Sequence, residues 1–251
     1  MKAFLLAAGE GTRLRPLTDD LPKCLVPING KPLLAVWLEL CQRHGIDQVL
    51  VNLHWKPEAV RSFIRESSFG LKVLLVEEPQ LLGSAGTVAA NRSWVAEEEC
   101  FWILYADVLT DADLGGMLAF HRRHGKPFTI GLVPTGQPHR CGIAVPDKDG
   151  VVVVFEEKPQ EPKSNLAFSG LFLSSPEIFD FIPATVPVDL GGAVLPRLIG
   201  RMQAYRIQEY LMDIGTMQNY EAAQEAWRAV EARRGGQQPR RAPAGSGKQA
   251  G

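Results

Sequence analysis

Residues 3–18 read Ala3-Phe4-Leu5-Leu6-Ala7-Ala8-Gly9-Glu10-Gly11-Thr12-Arg13-Leu14-Arg15-Pro16-Leu17-Thr18. Ala3 to Leu6 is a wholly apolar run, the pattern of a buried strand. It passes directly into a polar loop whose two glycines let the backbone approach a ligand and aim N–H groups at an anion. Arg13 and Arg15 add fixed positive charge, and Lys23 follows in Leu21-Pro22-Lys23-Cys24-Leu25. A loop offering amides (Gly9, Gly11 and Thr12 among them), a planar guanidinium and an ammonium suits a polyphosphate. Taken alone, the segment also reads as a flexible glycine loop with surface arginines. A Walker loop would need Lys then Ser or Thr after the second glycine, and the dinucleotide fingerprint needs a third glycine where Leu14 stands, so both fail.

Beyond this loop, short apolar runs alternate with amphipathic stretches. A helix is expected from about Pro32, with Leu33, Trp37, Leu40 and Cys41 on one face and Gly45 ending it. Val49–Val51 and Val73–Val76 read as strands separated by a helix opening at Pro57. Phe101–Tyr105 is another strand, followed by a helix carrying Leu114, Leu118 and His121. Thr129–Leu132, Gly142–Val145 and Val151–Phe155 form a strand-rich middle, and a last helix bears Tyr220, Ala223, Trp227 and Val230 on one stripe. The alternation implies an α/β fold, a single domain around a mainly parallel sheet covered on both faces. In such sheets ligands bind beyond the carboxyl ends of the strands.

Composition excludes other classes. With 251 residues, 45% hydrophobic and 22% charged, the chain is neither disordered nor fibrous. The longest apolar run, the seven residues Cys100–Ala106, is far shorter than the ~20 that span a bilayer. The opening Met1–Ala8 only faintly imitates a signal peptide, since Glu10 and Arg13 follow at once, and no export signal is expected. The four cysteines, Cys24, Cys41, Cys100 and Cys141, have no paired spacing and read as reduced thiols of a cytoplasmic protein. A net charge of −1 argues against a nucleic-acid or anionic-membrane binder. That charge is unevenly spread: residues 233–251 hold five basic residues and no acid, leaving 22 basic against 28 acidic, a net −6, in 1–232. Rich in glycine and proline, 233–251 is expected to be a disordered basic tail behind a 1–232 domain. His121 and His124, flanking two arginines, read as a solvated helix face rather than as metal ligands.

Gly9–Thr18 together with Pro22-Lys23-Cys24-Leu25-Val26-Pro27-Ile28 resembles the signature of the sugar-1-phosphate nucleotidyltransferases, the nucleotide-sugar pyrophosphorylases. The resemblance continues through Gly83-Ser84-Ala85-Gly86, Tyr105-Ala106-Asp107, Glu157-Lys158-Pro159 and Asp213-Ile214-Gly215-Thr216, spanning most of 1–227. It implies a Rossmann-like mixed sheet, in a short form without the left-handed β-helix that some members carry. It also implies attack of a sugar-1-phosphate oxygen on the α-phosphorus of a nucleoside triphosphate with release of pyrophosphate. Such transfer needs alignment and charge neutralisation rather than a protein nucleophile.

The resemblance places Arg13 and Lys23 on the triphosphate and its leaving pyrophosphate, and Asp107 and Asp213 on Mg²⁺. In isolation each Asp reads equally as a helix cap or turn residue. Lys158 would contact the sugar phosphate and Glu157 the sugar hydroxyls, while Gly142, Ser169 and Gly170 match positions where the sugar approaches the backbone. Backbone of Leu6, Ala7, Ala8 and Gly83 would flank the base. Glu78 is the candidate base reader, since a carboxylate accepts from guanine N1–H and N2–H₂; the adjacent Glu77 could exchange with it by a one-residue slip. Cys24 stands where the family usually has proline, Ala106 where it has glycine, and Cys141 where a tyrosine is common.

The partners implied are an NTP and a sugar-1-phosphate, with no nucleic acid, no membrane and homo-oligomer formation left open. Guanylyl transfer to mannose- or heptose-1-phosphate is the first expectation. Uridylyl transfer to N-acetylmuramic acid 1-phosphate or a hexose phosphate comes next, then thymidylyl transfer and cytidylyl transfer to phosphocholine. A non-catalytic regulatory relative is opposed by the presence of Arg13, Lys23, Asp107 and Asp213. A NAD-dependent oxidoreductase is opposed by the missing third glycine.

Overall fold

The structure, a computed structural model, describes residues 1–236. Strand β1 (Lys2–Leu6) shows why two layers of helix are needed. Ala3 and Leu5 point into one core and Phe4 into another on the opposite face, all fully buried. The first core is closed by helices α1 (Leu33–Arg43), α2 (Pro57–Glu66), α5 (Leu114–His124) and α6 (Met217–Gly236). The second is closed by α3 (Ser84–Ala90), α4 (Arg92–Val95) and the turns around Ile178 and Leu190–Leu198.

The sheet is mixed. Strands β4 (Gln48–Leu53) and β5 (Lys72–Glu77) continue from β1 in parallel, and β6 (Phe101–Tyr105) joins its other side, also in parallel. Beyond β6 the direction reverses: β11 (Leu166–Ser174) runs antiparallel to β6, to β8 (Phe128–Pro134) and to β9 (Gly142–Pro146). The edge strand β10 (Val152–Glu157) is antiparallel to β9, and β12 (Met202–Arg206) lies parallel to β8. A short ladder outside this sheet pairs β7 (Val108–Thr110) with β13 (Leu211–Asp213).

The expected helices and strands form close to where the periodicity places them. α1 begins after Pro32 and ends before Gly45, whose φ of 73° only glycine adopts freely. α2 opens at Pro57. On α6, Ala223, Trp227 and Val230 are buried as the stripe requires. A small hairpin of β2 (Pro27–Ile28) and β3 (Lys31–Pro32) turns at Asn29-Gly30, both with positive φ, the backbone that this dipeptide favours. Helix α6 holds that hairpin: Tyr220 Oη and Gln224 Nε2 donate to the Pro27 carbonyl at 2.7 and 2.6 Å, and Asn29 N donates to Gln224 Oε1 at 2.6 Å.

Two expectations change. α6 passes the boundary set after residue 232 and runs to Gly236, because Arg234 stacks over Trp227 and pairs with Asp111, which Arg43 also holds. The rest of the expected tail, 237–251, lies outside the described residues. His121 and His124 do not form a solvated face. His121 is buried against β8, and both rings hydrogen-bond Thr129 Oγ1 at 2.7 Å. All four cysteines are free thiols, and burial pushes Cys24 and Cys41 up to about 12. Among the described residues no helix is long and apolar enough to cross a membrane.

Candidate active site

The loop leaving β1 is shaped by a few contacts. Gly11 takes a φ of 68°, and its carbonyl accepts from Thr18 Oγ1 at 2.7 Å. A Cβ on Gly11 would stand 3.0 Å from Thr18 Cγ2 and 3.2 Å from Lys23 Cβ, so glycine brings this loop against Lys23. Leu14, fully buried, anchors the turn that carries Arg13. Arg15, expected to add charge to the site, instead pairs with Asp19 at 3.3 Å and lines neither of the cavities that Arg13 reaches.

The opposite charges converge on one glycine. Lys23 is buried, and its Nζ lies 2.8 Å from Asp107 Oδ2. Asp107 follows β6, where Ala106 N donates to the Leu6 carbonyl at 3.0 Å and keeps the two loops together. The β7–β13 ladder sets Asp213 opposite Val108, and Ile214 N donates to the Asp107 carbonyl at 3.1 Å. A Cβ on Gly215 would lie 2.6 Å from Asp213 Oδ1, 3.1 Å from Arg13 Nη2 and 3.3 Å from Lys23 Nζ. Two cations and the Asp213 carboxylate thus crowd a position with no side chain, and Lys23 links it to Asp107.

Two cavities meet at this cluster. One, of about 560 Å³, is lined by the Leu6–Arg13 loop, Lys23, Asn52, Glu78, Gly83 and Thr87. The other, of about 890 Å³, is lined by Gly142, Glu157, Lys158, Ser169, Gly170 and Asp213. Arg13, Tyr105, Asp107 and Asp189 belong to both walls. Every residue expected on the nucleotide side lines the first, and every residue expected on the sugar side lines the second. These volumes suit small-molecule ligands.

At the far end of the first cavity, Glu78 is buried and heavily bonded. Its Oε1 accepts from Asn52 Nδ2 at 2.9 Å and Thr87 Oγ1 at 2.5 Å, and its Oε2 accepts from Leu82 N at 3.2 Å. Asn52 Oδ1 in turn accepts from Ala7 N at 2.7 Å. This network ties the loop after β1 to the segment before α3, so Glu78 positions the walls, and Oε2 retains acceptor capacity. Glu77 pairs with Arg61 at 2.5 Å and does not line the cavity, whereas Glu78 does. Gly83 packs where a Cβ would meet the Val188 carbonyl at 2.5 Å, at a φ of 77°.

In the second cavity, Glu157 lies between two glycines. A Cβ on Gly142 or Gly191 would stand 2.7 or 2.8 Å from its Oε2. Burial raises the Glu157 carboxyl above the usual range, opposed by Lys158, whose Nζ is 3.7 Å from Oε1. Lys158 adopts a φ of 50°, an uncommon conformation for a side-chain-bearing residue, and its ammonium is exposed. Gly170 is glycine for packing, since its φ is 81° and a Cβ would stand 3.0 Å from Tyr105 Cβ. Ser169 is buried, its Oγ accepting from Leu171 N at 3.2 Å.

Among the described residues no cluster of three or more His, Cys, Asp or Glu could hold a metal. Asp107 and Asp213 offer hard oxygens from two carboxylates, the donor set with which Mg²⁺ completes its shell from phosphates and water.

Residues 2–229 match the family described as Nucleotidyl transferase. The chain is 33% identical over 248 residues to UTP–glucose-1-phosphate uridylyltransferase of Synechocystis, covering 92% of this chain and 62% of that protein. It is 33% identical to mannose-1-phosphate guanyltransferase beta-A of Xenopus laevis, covering 88% and 62%. It thus spans about 62% of the length of these curated relatives. The solved structure of HddC from Yersinia pseudotuberculosis, also known in complex with GMP-PN, superposes with a TM-score of 0.75 at 25% identity, covering 90% of this chain and 99% of that one. With its loop after β1, its paired cavities and this match over nearly all the described residues, the chain belongs to the nucleotidyl transferase family.

Proposed function

We propose that the chain transfers a nucleoside monophosphate from an NTP to a sugar-1-phosphate, releasing pyrophosphate. The observation that carries this reading is the meeting of two cavities at Arg13 and Asp107, beside Lys23 and Asp213. The first would take the nucleotide and the second the sugar phosphate. An oxygen of the sugar phosphate attacks the α-phosphorus, and the bond to the pyrophosphate oxygen breaks. The attacking phosphate needs no base, its second pKa being about 6. Lys23 and Arg13 hold the departing pyrophosphate and offset its growing charge. Lys158 neutralises the incoming sugar phosphate, and Glu157 accepts from sugar hydroxyls. Asp107 and Asp213 are the residues that would hold Mg²⁺, which supplies charge neutralisation across phosphate oxygens when bound. A cytoplasmic setting belongs to this reading and is supported by the free thiols.

GTP with mannose- or heptose-1-phosphate is the proposed pair, supported by the carboxylate of Glu78 at the base end and by the guanyltransferase relative. UTP with a hexose or N-acetylmuramic acid 1-phosphate is the second reading, favoured by the two protein donors already on Glu78 Oε1 and by the Synechocystis relative. A matrix of four NTPs against a panel of sugar-1-phosphates with Mg²⁺, read by pyrophosphate release, tests both. Lys23→Ala and Asp107→Asn are each expected to slow turnover by about 10²-fold or more. Unchanged turnover in either variant refutes the role of the residue replaced.

A further inference from the structure

We infer that Asp189, on the wall common to both cavities, is a specificity residue that accepts a hydrogen bond from a sugar-ring hydroxyl of a reactant, on the ribose or on the hexose. This rests on the proposed nucleotidyl transfer to a sugar phosphate. One oxygen of Asp189 is already held: Oδ1 accepts from Ser84 N at 3.2 Å and Ser84 Oγ at 3.3 Å. The Ser84 hydroxyl is saturated, since it donates to Asp189 and accepts from Tyr105 Oη at 3.0 Å and Leu190 N at 2.7 Å. That chain of contacts gives the carboxylate one orientation. Its Oδ2 takes no hydrogen bond from the protein among the described residues, while the side chain is exposed on both cavity walls.

Charge decides what Oδ2 can meet. Both reactants are polyanions, so a carboxylate there repels their phosphates and is compatible only with donors. With the N–H donors of the base assigned to Glu78, which lines the first cavity alone, the donors left for the wall common to both cavities are the ring hydroxyls. Gly191 and Gly192, which follow Asp189 on the sugar wall, add no side chain that would screen it.

Asp189→Asn tests this, because the amide keeps an oxygen for Ser84 and turns the free acceptor into a donor. kcat/KM would be measured for GTP and UTP and their 2′-deoxy and 3′-deoxy forms, with mannose- and glucose-1-phosphate and their singly deoxygenated forms. The expected result is a loss of about tenfold or more on hydroxyl-bearing substrates that vanishes on the one analogue lacking the hydroxyl read. A deoxynucleotide as that analogue assigns the ribose, and a deoxysugar assigns the hexose. No loss, or an equal loss on every analogue, overturns the inference. Wild-type protein that turns over no pair refutes the proposed function instead. Calorimetric titration of GTP, UTP, their deoxy forms and the sugar phosphates into wild type and Asp189→Asn then decides on binding alone by the same criterion.

Discussion

Gly215 has no side chain where Arg13, Lys23 and Asp213 crowd together, and that absence is a requirement of the charges. Gly215→Ala would place a methyl 2.6 Å from Asp213 Oδ1 and displace the carboxylate or both cations. Since a misplacement of about 1 Å can cost 10²-fold, we expect kcat to fall at least tenfold while thermal unfolding is little changed; steady-state kinetics beside a melting curve checks it. Glu157 gives the complementary case. Its carboxyl titrates above the usual range because it is buried, so the folded state holds the proton more tightly than the unfolded chain. Ionisation near neutral pH therefore costs stability, and that cost grows as pH rises from the unfolded value of about 4.5 through the raised one. Glu157→Gln should raise the melting temperature at pH 7.5 while raising KM for the sugar phosphate, the trade expected of a group held for binding. Several such residues were not legible from sequence. Asn52, Ser84, Asp189 and Gly191 each matter through a partner far along the chain, as when Asn52 holds Ala7 and Glu78. The one signal available for Asn52 was a polar side chain at the end of a buried parallel strand.

At the scale of elements, the junction of α5 with β8 shows how a polar cluster can be built into a core. Lys126 N donates to His124 Nδ1 at 3.0 Å, so in the neutral ring the proton sits on Nε2 and is donated to Thr129 Oγ1. The Thr129 hydroxyl then donates to His121 Nδ1, which must be unprotonated. Burial pushes His121 down to about 4, with His124 adding to the effect. The unfolded chain takes up this proton below about 6.5, the folded protein only near 4, so stability falls as pH drops across that window. The slope from this residue is at most about 1.4 kcal/mol per pH unit, and His121→Gln should flatten the melting temperature against pH between 6.5 and 4 relative to wild type. Periodicity put His121 on the stripe with Leu114 but could not show that β8 offers Thr129 opposite it. The hairpin of β2 and β3 was legible in principle from Asn29-Gly30. The β7–β13 ladder, only three residues on each side, carries too little pattern to read, although it places Asp213 beside Asp107.

The whole molecule is two half-sheets of different construction joined along β6 and β11. The parallel half, β5–β4–β1–β6, ends in the loops of the first cavity, and the antiparallel half built on β8, β9, β10 and β11 forms the second. Regular strand–helix alternation made the parallel half readable. The antiparallel half depends on long-range pairing of β11 with three partners, which no local pattern reports. The division has an energetic consequence. Thr87→Val removes one donor from Glu78 in the first cavity, and Glu157→Gln alters the second, with no partner shared between them. Separate sites combine additively to within about 0.3–0.5 kcal/mol, so the double variant should lose transition-state stabilisation equal to the sum of the singles. Thr87→Val should act on KM for the nucleotide and Glu157→Gln on KM for the sugar phosphate. Lys23 and Asp107, bonded at 2.8 Å in the shared wall, should behave oppositely. Each single change strands a buried or half-buried charge, and the second change relieves it, so Lys23→Ala/Asp107→Asn should be scarcely slower than the worse single variant. Strong coupling between Thr87 and Glu157, or strict additivity at Lys23 and Asp107, would contradict a site in which two independent cavities share one charged seam.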